Sequence, residues 1–190
     1  MKNRILKKNL SILTVGVTLA GLLAITQTDA SNEGEGQYKF GGSWVGHAPG
    51  LWTWTALQTP INPAATEAAL RVNFTSYGAD LAGLAAAFGA DSCSDLVGQE
   101  VMIDRDTARW TLVGYAQARG PNNELQIRAI VVAFGTLQFI DPNHDVIHAT
   151  ITVYPASADA DGDGMPDPGA APVVTIPGIT ETGQRVSILQ

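Results

Sequence analysis

Between Gly41 and Tyr154 the apolar residues come in short runs, and the clearest of them alternate strictly. "LWTWTALQT" puts Trp52, Trp54 and Ala56 on one side and Leu51, Thr53, Thr55 and Leu57 on the other; "ARWTLVGYAQA" does the same with Trp110, Leu112 and Gly114. A period of two is the signature of a β-strand with one face in a core. "GSWVGH", "AALRVNFTSY", "LVGQEVMID", "LQIRAIVVAF", "GTLQFI" and "VIHATITVY" are equally rich in β-branched and aromatic residues. Between them stand "HAPG", "TPINPA", "DRDT", "RGPNN" and "DPNHD", each with turn-forming Pro, Gly, Asn or Asp. Seven or eight short strands joined by tight turns predict an all-β domain over residues 41–155: a single antiparallel barrel of about eight strands, with a β-sandwich as the alternative. Residues 78–91, "GADLAGLAAAFGAD", break the pattern. They carry Leu81, Leu84 and Phe88 at helical spacing and predict one short helix covering an end or face of the sheet. Residues 156–172 are an acidic loop or linker without apolar period. Residues 173–190 supply one or two further strands packing on the barrel, interrupted at Pro177 and Gly178.

The N-terminus has a different texture. Lys2, Arg4, Lys7 and Lys8 precede an uncharged apolar run from Leu10 to Ile25, followed by small residues to Ala30. This is the pattern of a secretory signal peptide over residues 1–30, with Thr28 and Ala30 before the cleavage point, and it predicts a secreted or periplasmic protein. Residues 31–40 open with the polar, glycine-rich "SNEGEGQ" and read as a flexible lead-in. Cleavage removes four bases and one acid, leaving seven Lys and Arg against seventeen Asp and Glu, a formal charge of about −10. That balance argues against nucleic acid, and against an anionic membrane once the signal is gone, as partners. The single cysteine, Cys93, excludes an intramolecular disulfide. Stability is left to packing, with or without a metal.

"DADGDGMPD" is the most specific chemical signal. Asp159, Asp161 and Asp163 hold positions one, three and five; Gly164 supplies a sharp turn at six; Met165 offers its carbonyl at seven; and Asp167 falls at nine. Alternate acids followed by a turn converge on one point, which suits calcium, a cation of six to eight oxygen ligands. The order resembles the loops of thrombospondin type 3 repeats, dockerins and other EF-hand-like modules. At position twelve, where those families place an acid, stands Ala170. The expectation is a structural calcium ion of low affinity, in the millimolar to submillimolar range.

Gly42, Ser43 and Trp44 in "GGSWVG" resemble the Gly-x-Trp that opens the first strand of lipocalins and other calycins. The resemblance implies a barrel whose bottom is closed by that tryptophan, with a late arginine packed on it, for which Arg128 is the candidate. It also implies a small apolar or amphipathic ligand inside. The Thr-Asp-Tyr turn of lipocalins is absent. Trp52, Trp54 and Trp110 are the aromatic lining expected for such a cavity, and Arg128, on one parity with Gln126, Ile130, Val132 and Phe134, is the charge expected to orient a headgroup. Two other readings stand beside this one. A barrel-type isomerase or cyclase would require Glu100, Arg128 and His148 to converge in one pocket. An extracellular interaction module would have a solid interior and a calcium-stiffened junction. No HExxH, GxSxG, P-loop or dinucleotide fingerprint is present, and Cys93 lies among acids that blunt its nucleophilicity.

Overall fold

The computed structural model describes residues 38–77 and 87–187. The proposed signal peptide, most of the lead-in and most of the expected helix (residues 78–86) lie outside the described residues. Nine strands are present: β1 (Gly42–Ala48), β2 (Trp52–Pro60), β3 (Glu67–Tyr77), β4 (Ser92–Cys93), β5 (Leu96–Met102), β6 (Thr107–Arg119), β7 (Leu125–Asp141), β8 (His144–Pro155) and β9 (Val174–Arg185), with one 3₁₀ turn at Ala156–Ala158. Every pairing is antiparallel, each long strand pairs with its neighbours in sequence, and β9 pairs back onto β1. Eight strands thus close into an up-and-down barrel, and β4 is a short extra pairing on β6 beyond the end of β5. Closure leaves no long free edge, the constraint that open sheets must otherwise manage.

The alternation read from the sequence is the alternation observed. Trp44, Trp52, Trp54, Leu70, Leu96, Trp110, Leu112, Val131, Leu137, Ile151 and Val153 point inward and form one continuous core. Two boundaries differ from the expectation. Gly135 does not separate two strands: it lies inside the 17-residue β7, where the His148 carbonyl comes so near that a Cβ has no room. Such close backbone approach is a reason for glycine within a strand. Pro177 and Gly178 do not end a strand either. They form a bulge in β9, where Ala149 pairs with Ile179 and Ile151 with Ile176, and Gly178 takes φ +72°. The barrel consequently runs past Tyr154, with β9 as the stave between β8 and β1.

One end of the cylinder is shut. Tyr38–Gly41 crosses it, donating Tyr38 N–H to the Arg105 carbonyl (3.1 Å) and Phe40 N–H to that of Ala65 (2.9 Å). Beneath them Tyr38, Phe40 and Trp44 gather round Phe139, with ring centroids 5.3, 6.2 and 5.9 Å away. Arg185 lies over the Trp44 ring at 4.9 Å. Arg128, expected in that role, is instead exposed on the outer face of β7. The parity argument had put it on an apolar face, but that face is the outside of the barrel, where Phe134 is also exposed.

A cross-strand row explains how an interior with four tryptophans closes. Trp54 pairs with Gly46, Gly46 with Gly183, and Gly183 with Asp145. A Cβ on Gly46 would lie 2.2 Å from Trp54 Cζ2, and one on Gly183 would lie 3.0 Å from Trp54 Cη2 and 2.3 Å from Asp145 Oδ1. Two adjacent glycines therefore form the slot that takes the indole. Gly183→Ala is expected to cost ~1–3 kcal/mol in urea unfolding, the usual penalty of overpacking, and clearly less on an Asp145→Ala background, since the nearest obstacle is then gone. Equal costs on both backgrounds would contradict the row.

Candidate functional site

The interior is not uniformly apolar. Facing inward with the tryptophans are Gln58 on β2, Glu100 on β5, Asp145 on β8, and Glu181 and Arg185 on β9. The two-residue period places each of them among core side chains, so the alternation that builds the core also carries the acids into it. Glu100 is 1% exposed and Asp145 3% exposed. A cavity of about 50 Å³ lies between them, bounded by Trp44, Trp54, Trp110, Glu100, Asp145 and Glu181 and by aliphatic walls that include Ala133 and Ala149.

The polar atoms around this cavity are poorly matched to one another. Trp52 Nε1 donates to Glu181 Oε1 at 3.1 Å. Both oxygens of Glu100, Oδ1 of Asp145, and the indole N–H groups of Trp44, Trp54 and Trp110 make no hydrogen bond of good geometry, although Gln58 lies close to Glu100 and the Trp54 indole close to Glu181. Such groups are rare inside folded proteins, because each leaves its desolvation uncompensated. Arg185 hydrogen-bonds the Lys39 carbonyl through Nη2 at 3.3 Å while stacked on Trp44; its Nε is unpartnered.

Burial governs the protonation of the acids. It pushes Glu100 up to about 8, helped by the nearby Asp145 charge and opposed by Gln58. It pushes Asp145 up to about 7, where the Gly183 backbone N–H works against it, Glu181 adds to the rise, and Arg185 and His144 oppose it. Glu181 is also raised by burial, against the pull of the Trp52 and Trp54 indoles. Desolvation of a charged group is here the dominant cause, and each carboxyl stays neutral above its ordinary range.

Of the residues expected to bind a ligand, Trp52, Trp54 and Trp110 are all interior, and Trp54 and Trp110 line the cavity. Arg128 is not with them. The Glu100, Arg128 and His148 convergence required by the isomerase or cyclase reading does not occur either: Glu100 is inside, whereas Arg128 and His148 are exposed on the outer face. The solid interior required by the interaction-module reading is likewise not what is found. Asp145 and Glu181 were missed by sequence reasoning. Both have the parity of apolar neighbours, Asp145 with Ile147 and Ala149 and Glu181 with Ile179, and that parity was the available signal.

At the opposite end from the Tyr38–Gly41 crossing, the β8–β9 connection folds back over the outside of the barrel. Asp159 accepts from Gly162 N–H (2.9 Å) and Gly164 N–H (3.0 Å), Asp161 from Asp163 N–H (3.2 Å), and Asp163 from Met165 N–H (2.8 Å). Asp167 accepts from Ala160 N–H at 3.0 Å and closes the loop on itself. Tyr115 on β6 anchors it by donating to the Gly164 carbonyl at 3.1 Å. Among the described residues, Asp159, Asp161 and Asp163 are the one trio of ligating side chains whose oxygens lie within 4.8 Å of one another.

No protein-family model, curated protein or solved structure matches this chain. The functional reading consequently rests on the geometry. Its first consequence is a pH dependence of stability. A carboxyl whose folded pKa is raised holds its proton in the folded state while the unfolded chain gives it up, so stability is fullest below the unfolded value and falls as pH rises to the folded one. For Glu100 that window runs from about 4.5 to about 8. Asp145, raised from 3.8 to about 7, adds a loss of the same sign. Urea unfolding is expected to show a loss on the order of a few kcal/mol between pH 5 and pH 8, and Glu100→Gln should flatten the profile and stabilise the protein at pH 8. A wild-type profile that is flat or rises over this range would contradict the burial of a neutral Glu100.

Proposed function

We propose that this protein is an exported, calycin-like β-barrel that binds one small amphipathic molecule inside the cylinder and is stabilised by a calcium ion in the Asp159–Asp167 loop. The observation that carries the reading is the interior cavity lined by Trp54 and Trp110, into which Glu100 projects with neither carboxyl oxygen hydrogen-bonded. An apolar wall with a few unsatisfied polar groups converging on it is the usual composition of a small-molecule site. The volume sets a limit: at roughly 10–15 Å³ of such space per water molecule, about 50 Å³ corresponds to a ligand much smaller than a steroid or fatty acid. The calycin likeness is supported by the closed meander of eight strands and by Arg185 stacked on Trp44. Export is supported by the signal-like residues 1–30.

Tryptophan emission tests the ligand reading directly, because the indoles line the cavity. A panel of two- to five-carbon alcohols, amines and carboxylic acids is expected to contain members that give a saturable response in the wild type. That response should be lost in Ala133→Leu, whose larger side chain fills the space, and weakened in the milder Ala149→Val. No saturable response, or one that survives both substitutions, would overturn the reading.

The donor set of the acidic loop fits calcium: three carboxylates with oxygens mutually within 4.8 Å are compatible with one ion at ~2.3–2.6 Å from each. Asp159 and Asp167 shape the loop through backbone hydrogen bonds, Asp161 and Asp163 are exposed, and Met165 would contribute its carbonyl. Ala170 offers no side-chain oxygen, which points to weak binding. Calcium at ten times its Kd should stabilise the fold by about 1.4 kcal/mol, a rise of a few degrees in Tm. The combination of Asp161→Ala and Asp163→Ala should remove the calcium response, while Asp159→Ala should lower Tm even in chelator. An unchanged Tm in millimolar calcium would make the loop a backbone-bonded spacer.

A further inference from the structure

Four observations about the same cavity narrow the class of ligand. First, the interior charge is one-sided. Glu100, Asp145 and Glu181 come from three different strands, and the basic groups that reach them do so only through Asp145. Of these, Arg185 is stacked on Trp44 and bonded to the Lys39 carbonyl at the shut end, and His144 is exposed and turned to Asp141, 2.8 Å away. An anionic ligand would meet three acids.

Second, neither oxygen of Glu100, which is 1% exposed, makes a hydrogen bond of good geometry, although the Gln58 side chain lies near enough to favour its charged form. A hydrocarbon in the cavity would leave them so, at the full cost of an unmade hydrogen bond, whereas an ammonium group brings charge and donors together. Third, the remaining walls include the indoles of Trp44, Trp54 and Trp110, and tryptophan is the aromatic side chain that attracts cations best. Fourth, the interior acids are not a metal cage. Among the described residues, the trio of carboxyls close enough to share an ion is on the outer loop, at Asp159, Asp161 and Asp163.

We propose that the ligand is a small organic cation, an alkylammonium of roughly three to five heavy atoms, held by Glu100 and Asp145 between the indoles of Trp54 and Trp110. This deepens the ligand-binding reading above and rests on it. Binding is coupled to protons. Burial keeps Glu100 neutral up to about 8 and Asp145 up to about 7 in the ligand-free barrel, and an arriving ammonium favours the carboxylate. The proton leaves to solvent as the cation enters, so affinity increases with pH, by up to tenfold per unit below the carboxyl pKa for each proton released. The groups that face this titration are Gln58 from β2, Glu181 and Arg185 from β9, and His144 beside Asp145 on β8; the alkylammonium itself, with an ordinary pKa near that of lysine, about 10.4, stays charged throughout.

Calorimetry and tryptophan emission on the full mature chain test the proposal, with methyl- to butylammonium and tetramethylammonium as cations, 1-butanol as the neutral match and butyrate as the anion, at pH 6 and pH 8. The expected result is that at least one cation binds tenfold or more tighter than butanol or butyrate, and tighter at pH 8 than at pH 6. Its heat should differ between buffers of unlike ionisation enthalpy, as proton release requires. Glu100→Gln should reduce the affinity at pH 8 by tenfold or more, whereas Glu67→Gln, at an exposed acid on β3, should leave it unchanged. If Glu100→Gln does not fold, the buffer dependence of the wild type and Asp145→Asn carry the test. Butanol binding as tightly as every cation would overturn the cationic class and leave a ligand-binding barrel. Cation binding that Glu67→Gln weakens as much as Glu100→Gln would place it on the surface and overturn the interior site. The absence of a saturable response to any compound would overturn both readings.

Discussion

The rest of the structure depends on the burial of acids in a closed cylinder that contains too little positive charge to neutralise them. Removing a carboxylate from water costs several kcal/mol even after relaxation, and Glu100, Asp145 and Glu181 are all inside. Two effects make this tolerable. The acids avoid the charged state by keeping their protons to pH values near neutrality. The indoles around them each remove on the order of 200 Å² of surface from water, a gross gain of ~5 kcal/mol apiece. The buried tryptophans offset part of the cost of burying these carboxyls, and would offset a smaller part of it were the carboxyls ionised. The same balance makes the interior responsive: raising pH or admitting a cation changes the state of groups already near their titration point.

Closure is what enforces the burial. An open sheet would let Glu100 or Asp145 turn toward solvent at an edge, but the pairing of β9 with β1 removes that escape. It also imposes a fixed circumference, so the indoles fit only where the wall recedes. Gly46 and Gly183 provide the recess beneath Trp54, and the alanines at 68 and 149 flank the row that contains Glu100 and Trp110. At the shut end, Arg185 covers Trp44 and also pulls Asp145 toward its charged form. One residue thereby links the plug of the barrel to its interior acids.

Much of this was legible in the sequence, and what was not has definite causes. Alternation in "LWTWTALQT" and "ARWTLVGYAQA" placed Trp52, Trp54 and Trp110 correctly because a period of two has one outcome once one face is buried. It could not say which face of β7 was inward, since that strand carries apolar residues on both; Ile130, on the outer face, is 1% exposed. Arg128 was accordingly assigned to the interior, and the arginine on Trp44 proved to be Arg185, from a strand whose pattern Pro177 and Gly178 had obscured. Asp145 and Glu181 had the right parity to be read as interior. An acid of core parity is ordinarily solvated at a strand end or edge, and only the closed barrel makes these two exceptional.

The two acidic sets in this chain present opposite physics to a cation. Asp159, Asp161 and Asp163 stand in water, converge within 4.8 Å and are organised by backbone N–H groups, an arrangement that favours the ionised carboxylate and a compact, strongly hydrated divalent ion. Glu100 and Asp145 are buried, protonated near neutral pH and walled by indoles. A calcium ion entering there would have to shed its water for too few oxygens, whereas an organic ammonium is weakly hydrated and interacts with aromatic faces. On the proposed reading, dehydration cost would sort the cations: hard ions to the outer loop and soft ones to the barrel.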